Sequence, residues 1–177
     1  MKERPVVESS EKVYHGFLDL RVDKIRLRSG IGFNYDVVTV GDGVAVLPFI
    51  DEYTLLLAKQ YRHPVGEYLL ELIQGGISRG ESVEEAAMRE LLEETGYTGR
   101  LERINTMYPL PSSLDMRLHI LRATGLEKKH EPKLDPWEDL TIVEIPYNRV
   151  LEEVCSGNHR DSALGWAILH HEIKSKS

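Results

Sequence analysis

The residues best suited to chemistry are concentrated in residues 75–97, where several glutamates surround Arg89. At 3.6 residues per helical turn, Glu90 and Glu94 lie one turn apart on the same face, and Glu93 lies at its edge. Carboxylates at this spacing repel each other, so a cation is expected to compensate them. Arg89 can neutralise only part of this charge. Oxygen ligands of this kind favour Mg2+, with Mn2+ as the alternative, over zinc.

A solvated, charged helix face is the alternative interpretation, since most glutamate-rich helices have one. It leaves the glycines and the fixed position of Glu81 unexplained. A carboxylate-bound cation suits pyrophosphate, because it bridges phosphate oxygens and lowers the pKa of a bound water. The pattern therefore indicates hydrolysis of a diphosphate by activated water.

Local signals predict the helix that must position these acids. Ser82 is a favourable N-cap, and Glu85 stands three residues later to complete a capping box. Gly96 is the residue type expected just beyond the C-terminus of a helix. The helix is predicted to span about residues 83–95.

Composition limits the classes of protein that this chain can represent. With 177 residues and 41% hydrophobic content, it can bury one core, with a small appendage at most. The single cysteine, Cys155, excludes an internal disulfide, and there is no apolar run of signal-peptide or membrane-spanning type. A net charge of -7 argues against a nucleic-acid partner. We expect a cytoplasmic protein that binds neither membrane nor nucleic acid.

Strands and helices interleave along the rest of the chain. Residues 1–12 are polar and are expected to be frayed. Residues 44–50 and 53–60 are expected to form a hairpin that turns at Asp51-Glu52, the second strand buried on both faces. Asp161 can cap the last helix. The remaining predictions are two strands within residues 13–40, strands near 68–72, 101–108, 118–123 and 140–146, and helices at 147–156 and 162–174.

The spacing of the motif resembles the signature of the Nudix hydrolases at every defined position. It reads Gly75, five residues, Glu81, seven residues, then Arg89-Glu90-Leu91-x-Glu93-Glu94-x-Gly96-Tyr97. The resemblance implies an α/β/α sandwich with a mixed β-sheet over residues 43–177, and a small added β-element over residues 1–42. It also implies that Glu90, Glu93, Glu94 and the backbone carbonyl of Gln74 bind the metal. Arg89 would orient these glutamates, and Glu93 and Arg89 would thereby serve catalysis.

Outside the motif, the chain resembles the branch of ADP-ribose pyrophosphatases and nucleoside diphosphate sugar hydrolases. The matching features are Arg62 and Glu71 before the motif, Pro111 fourteen residues after Tyr97, and an acidic segment over residues 135–140. The resemblance implies that Arg62 meets the substrate's phosphates and that Glu71 and Pro111 also belong to the substrate site. It implies a catalytic glutamate in the acidic segment. Glu138 is the best match and Asp139 the second.

Three departures from that branch concern the substrate pocket. Gln74 follows Ile73 where relatives often have Pro-Ala, Met116 stands where many have glutamate, and Tyr35-Asp36 replaces a common Arg-Glu pair. The alternatives are therefore another Nudix substrate, such as GDP-mannose or a nucleoside triphosphate, or a sensor that binds nucleotide sugars without catalysis. A pure sensor would not need the full set of motif acids.

The resemblance also predicts an assembly. In that branch the N-terminal strands reach over a second subunit, and both subunits build the site. A β-element of about 42 residues is too small to be stable alone. We therefore expect a homodimer that acts on a small-molecule nucleoside diphosphate sugar.

Overall fold

A computed structural model of the chain describes residues 4–134 and 139–176, which form two compact units. The first unit contains the chain up to Asp42 together with the segment Tyr108–Arg117. The second unit contains Gly43–Met107 and the chain from Leu118 onward. Among the described residues, no helix is long and apolar enough to cross a membrane.

The first unit is built on an antiparallel sheet of three strands in sequence order. These are β1 (Val6–His15), β2 (Asp19–Arg26) and β3 (Gly32–Thr39). Gly30, with a φ of 84°, closes the turn between β2 and β3 by donating its N–H to the carbonyl of Leu27 at 2.9 Å.

The expectation that residues 1–12 are frayed is wrong for the described part that lies in β1. This strand pairs with β2 from Val6 opposite Arg26 to His15 opposite Asp19. All ten of its residues are exposed. An antiparallel ladder satisfies the backbone of such a strand without burying side chains, so its polar composition gave no signal of pairing.

The segment Tyr108–Arg117 returns to the first unit and lies beside β3. Val38 donates its N–H to the carbonyl of Ser113 at 2.7 Å, and Asp115 donates to the carbonyl of Val38 at 3.2 Å. Arg21 Nη1 also donates to Asp115 Oδ2 at 2.6 Å. A segment from the middle of the sequence therefore completes the N-terminal unit.

The second unit contains two sheets. The mixed sheet has the order β7 (Ile73–Gly76), β4 (Gly43–Pro48), β9 (Leu118–Lys128) and β8 (Tyr97–Met107), with β4 and β9 parallel. The antiparallel sheet has the order β10 (Leu140–Pro146), β5 (Thr54–Arg62) and β6 (Glu67–Glu71).

The predicted hairpin of residues 44–60 is wrong, although its turn exists. Ile50 donates its N–H to the carbonyl of Thr54 at 3.0 Å, but β4 and β5 then enter different sheets. Only the isolated bridge between Phe49 and Leu55 joins them among the described residues. Both strands are apolar and largely buried, as predicted for β5, and each gains two other strands as neighbours instead of pairing with the other.

The second unit also contains three helices, two of which cover opposite faces of the mixed sheet. They are α1 (Val83–Thr95), α2 (Tyr147–Cys155) and α3 (Ser162–Ser175), each within one residue of its predicted bounds. On β4, Val44 and Val46 share a buried cluster with Ala86 and Leu91 of α1. The alternate residue Leu47 points to the opposite face, where it lines a cavity with the C-terminal half of α3. The α/β/α arrangement is thus confirmed.

Candidate active site

The glycine that opens the motif lies in direct contact with a motif glutamate. A Cβ atom added to Gly75 would lie 2.1 Å from both Cδ and Oε1 of Glu90, whereas one added to Gly76 would meet nothing within 4 Å. Only the absence of a side chain at Gly75 lets this carboxylate rest against the backbone of β7. Gly75 and the following α1 therefore position Glu90 together.

Arg89 gathers the neighbouring acids on α1 and its preceding loop. Its Nε donates to Glu81 Oε1 at 2.8 Å, and its Nη1 donates to Glu90 Oε1 at 2.6 Å and to Glu93 Oε2 at 3.2 Å. Nη2 also donates to the carbonyl of Gly76 at 2.8 Å. One guanidinium thus ties three carboxylates to the start of the motif.

This network favours the charged forms of Glu81 and Arg89. The hydrogen bonds from Arg89, with one from the N–H of Ser78, lower the pKa of Glu81 to about 2. The same acids raise the pKa of Arg89 above its ordinary value, with the hydrogen bond to Glu81 as the largest cause. Glu81 and Arg89 therefore stay charged across the physiological pH range.

A second ion network contains the buried acids. Glu71 is 2% exposed, and it accepts Nε of Arg62 at 2.9 Å and Nη2 of Arg62 at 2.5 Å. Gln74 Nε2 donates to the same carboxylate at 2.6 Å. Hydrogen bonding to Glu71 is the largest cause that raises the pKa of Arg62, and the negative charges of Glu94 and Asp161 add to it.

Asp161 belongs to this second network through its charge and caps α3. Its side chain accepts the N–H of Leu164 at 2.8 Å, which confirms the predicted cap. Burial raises the pKa of Asp161, and the charge of Glu71 raises it further. A second acid is therefore held near Arg62 in surroundings that disfavour its charge.

Most of the predicted site residues thus fall into two hydrogen-bonded groups. Arg89, Glu90 and Glu93 are hydrogen bonded together, and Arg62, Glu71 and Gln74 form the second group. Glu94, which is 6% exposed, interacts electrostatically with Arg62. Glu138 lies outside the described residues. Asp139, the second candidate, accepts the hydroxyl of Tyr68 at 2.7 Å.

Pro111 lies in the first unit and not among these residues. Within that unit it lines a cavity of about 310 Å³ together with Tyr35, Tyr108 and Leu114. Tyr35 also donates its hydroxyl to the carbonyl of Ser112 at 2.7 Å. Tyr35, one of the departures from the resembling branch, thus supports the loop that carries Pro111.

Sequence reasoning missed two features of the site. It did not predict that the carboxylate of Glu71, which it assigned to the substrate site, accepts hydrogen bonds from Arg62 and from the side chain of Gln74. It treated Asp161 only as a helix cap, although this residue also faces the charge of Arg62. Both features depend on contacts between strands and helices that are distant in sequence. The three-residue spacing of Glu71 and Gln74 was the only available signal.

The donor atoms suit a hard divalent cation with few protein ligands. Within residues 4–134 and 139–176, no three Asp, Glu, His or Cys side chains are placed to hold a metal ion among themselves. Mg2+ commonly binds one or two carboxylates and completes its coordination with water and substrate phosphates. Glu90, whose carboxylate lies against Gly75 of β7, can supply such a ligand.

The mixed sheet covered by helices and the acidic helix α1 together define a class of α/β proteins. Comparison of the sequence with models of known protein families identifies this class. The family model described as the NUDIX domain matches residues 39–158, which is more than half of the chain. The chain therefore belongs to the Nudix family.

Individual relatives extend the similarity to nearly the whole chain. An ADP-ribose pyrophosphatase of Bacillus subtilis is 32% identical over 94% of this chain and 91% of its own length. A methanol dehydrogenase activator of Bacillus methanolicus is 27% identical over 93% of this chain and 91% of its own. A crystal structure described as an ADP compounds hydrolase has the same fold, with a TM-score of 0.83 at 23% identity over 99% of this chain and 97% of that one.

Proposed function

We propose that the chain hydrolyses the diphosphate bond of ADP-ribose or a related nucleoside diphosphate sugar with Mg2+. Water adds to one phosphorus, the bridging P–O bond breaks, and the products are a nucleoside monophosphate and a sugar phosphate. The observation that carries the proposal is the Glu90 carboxylate, which lies against Gly75 while Arg89 gathers the acids around it. The similarity to the ADP-ribose pyrophosphatase of Bacillus subtilis supports the substrate class.

The acids of α1 are the proposed metal ligands. Glu90, Glu93 and Glu94, with the backbone carbonyl of Gln74, are the candidate ligands, from which Mg2+ would take one or two carboxylates at a time, and Mn2+ is the alternative ion. The bound cation supplies charge neutralisation at the phosphates and a water of lowered pKa. Arg89 keeps the glutamates in place and balances part of their charge when no substrate is bound.

Arg62 is the proposed phosphate contact from the protein. Glu71 fixes Arg62 through Nε and Nη2, and the guanidinium side chain is still 36% exposed. Within the described residues no hydrogen bond uses its Nη1 atom, so this donor can meet an anionic group. In this proposal Pro111 borders the sugar or base, and Glu138 positions the attacking water.

A turnover screen with magnesium tests this proposal. ADP-ribose, GDP-mannose, UDP-glucose and nucleoside triphosphates are offered separately, and monophosphate or pyrophosphate release is measured. We expect ADP-ribose or another diphosphate sugar to give the highest kcat/KM. A higher kcat/KM for GDP-mannose or a triphosphate would show that ADP-ribose is not the substrate. Binding of a nucleotide sugar without product release would favour the non-catalytic sensor.

Glu94→Gln tests the proposed metal ligands, because it removes one negative charge from the metal site. We expect kcat to fall by about 100-fold or more, as for loss of a direct ligand. Glu84→Gln on the exposed side of α1 is the control and should retain turnover. Unchanged turnover of Glu94→Gln at saturating magnesium would remove this residue from the site.

We also propose that the protein acts as a cytoplasmic homodimer. The exposed apolar side chains of the first unit, which include Val7, Val13 and Phe17, offer surface for a second subunit. Light scattering at micromolar concentration tests the assembly. A monomeric mass there would contradict it.

A further inference from the structure

A cavity of about 480 Å³ lies on the face of the mixed sheet opposite to α1. Arg122 of β9 opens into it, whereas its neighbours Leu121 and Ala123 belong to the cluster beneath α1. The C-terminal half of α3 forms the other wall with His170, His171 and Lys174. The sheet therefore separates this cavity from the acidic face of α1.

Arg122 uses only part of its guanidinium inside the described chain. Nη2 donates to Glu102 Oε2 at 2.6 Å, while Nε is buried and has no hydrogen-bond partner among the described residues. Arg62 and Arg117 both use Nε and Nη2 together on a carboxylate. A buried, unused donor on a charged group is costly, so a further acceptor is expected at Nε.

Among the neighbouring side chains of α3, Lys174 adds positive charge and the two histidines add fixed geometry. His170 stacks on Trp166 with ring centroids 4.8 Å apart, and His171 packs against Phe49 at 4.7 Å. Lys174 lies one turn beyond His170 and forms no ion pair within the described part of the chain. Both imidazoles are thus held in place, and the lysine can turn toward an anion.

The nearby acids cancel only part of this charge, because none of them pairs with Lys174 within the described part of the chain. Glu102 already accepts Arg122, and Glu172 of α3 accepts the hydroxyl of Tyr147 at 3.0 Å and pairs with Lys176. An adjoining cavity of about 390 Å³ shares Arg122 and His171 and is lined by apolar and acidic side chains of the loop after β4. Each cavity falls within the usual size of a small-ligand site.

We propose that Arg122, His170 and Lys174 form a second anion site, which binds the phosphate group of a small phosphorylated ligand. One phosphate oxygen accepts Nε of Arg122, and Lys174 supplies a second positive charge. Inorganic phosphate and a nucleoside monophosphate share this chemistry. The adjoining cavity, with Phe49 and the carboxylates of Asp51 and Glu52, could accommodate the base and the ribose hydroxyls of the nucleotide.

Trp166 provides a direct reporter of binding because it stacks on His170. The chain has two tryptophans, so Trp137→Phe leaves Trp166 as the only one. The Trp137→Phe variant of this 177-residue chain is titrated with inorganic phosphate, adenosine monophosphate and adenosine, without magnesium or substrate. We expect a saturable fluorescence change with both phosphate compounds and none with adenosine. Absence of a saturable change with either phosphate compound would overturn the proposal.

Variants in this background assign the signal to the cavity. Arg122→Gln should weaken phosphate binding by about tenfold or more, and Lys174→Gln by severalfold. Glu102→Gln should strengthen it, because the carboxylate no longer competes for the guanidinium. Arg149→Gln, on the exposed surface of α2, is the control and should bind normally.

The titration with adenosine monophosphate shows whether the ligand is a nucleotide or phosphate alone. Tighter binding than inorganic phosphate would assign a nucleotide to the two cavities, and equal binding would assign the phosphate alone. Undiminished binding by both Arg122→Gln and Lys174→Gln would contradict the site. No turnover is measured, so this outcome is independent of the proposed hydrolysis.

Discussion

At the residue scale, two adjacent glycines give a matched test of how Glu90 is placed. Gly75→Ala would put a Cβ atom 2.1 Å from the Glu90 carboxylate, while Gly76→Ala has open space. Because a carboxylate at the end of a flexible side chain can move, we expect Gly75→Ala to keep its folding stability. Its magnesium-dependent kcat/KM should fall by about 10-fold to 100-fold.

Gly76→Ala should keep both stability and turnover, since it meets no atom and its carbonyl still accepts Arg89. Thermal denaturation and steady-state kinetics on the two variants separate the effects. Equal activity of the two alanine variants would show that the contact of Gly75 with Glu90 does not matter for catalysis.

Glu71 and Glu67 stand at the two ends of β6 and pair with different arginines. Glu71 is buried and holds Arg62, whereas Glu67 pairs with Arg160, whose side chain is 66% exposed. Glu71→Gln leaves Arg62 without its counter-charge, so we expect the free energy of unfolding to fall by about 2 kcal/mol. This is less than for a fully buried pair because Arg62 is partly exposed.

Glu67→Gln should cost less than about 0.5 kcal/mol in the same urea denaturation experiment. If Glu71 positions Arg62 for phosphate, Glu71→Gln should also raise KM for the substrate, and Glu67→Gln should not. A large stability loss with unchanged kinetics would leave Glu71 a structural role alone.

At the element scale, Gly96 ends α1 and meets the backbone beyond β9. It has a φ of 78°, and an added Cβ would lie 1.9 Å from the carbonyl oxygen of His130. Gly80 has a similar φ of 85° but open space around it. Gly80→Ala should therefore lower the free energy of unfolding by about 1 kcal/mol, from backbone strain alone. Gly96→Ala should lower it by about 3 kcal/mol, because the backbone near His130 must also move.

Chemical denaturation of the two variants measures this difference directly. Because the conformational strain is shared, any excess loss in Gly96→Ala reports the contact with His130. Similar losses in both variants would mean that the His130 backbone yields at little cost.

Local signals account for α1 almost completely. Ser82 accepts the N–H of Glu85, both halves of the capping box are present, and Gly96 adopts the left-handed conformation. These interactions span only a few residues, so the sequence predicts them well. The motif therefore identified the acids and the helix that carries them.

Strand pairing was harder to predict because it depends on distant partners. The exposed β1 lacks an alternating apolar pattern, and β4 and β5 have apolar runs that do not specify a neighbour. The same limit applies to the site, where Arg62, Glu71 and Gln74 meet only after β5, β6 and β7 have formed. Their residue types were predictable from the resemblance, but their mutual hydrogen bonds were not.

At the scale of the whole molecule, the first unit combines two separated parts of the chain. Segment 108–117 is held by backbone hydrogen bonds to Val38 and by Arg117, which donates Nε and Nη2 to Asp42 at 2.9 and 2.6 Å. A truncated chain that begins at Gly43 loses these partners. We expect limited trypsin digestion to cut after Arg117 at least about tenfold faster in the truncated chain, because its backbone is no longer anchored.

Cleavage after Arg149, on a helix of the second unit, is the internal control and should keep its rate. Mass spectrometry of early fragments distinguishes the two sites. Equal cleavage after Arg117 in both proteins would indicate that segment 108–117 is ordered without the N-terminal strands.

The contact at Gly96 also defines a junction for protein engineering. The carbonyl of Gly96 accepts the N–H of Lys129 at 2.8 Å, and the carbonyl of Glu93 accepts the N–H of Lys133 at 2.7 Å. The stem that leads to the acidic segment is therefore fastened to the end of the signature helix. When the acidic segment is replaced by that of another Nudix protein, the junctions should lie after Lys133 and before Leu140. The recipient then keeps both hydrogen bonds to its own helix α1, and only the loop between the junctions changes.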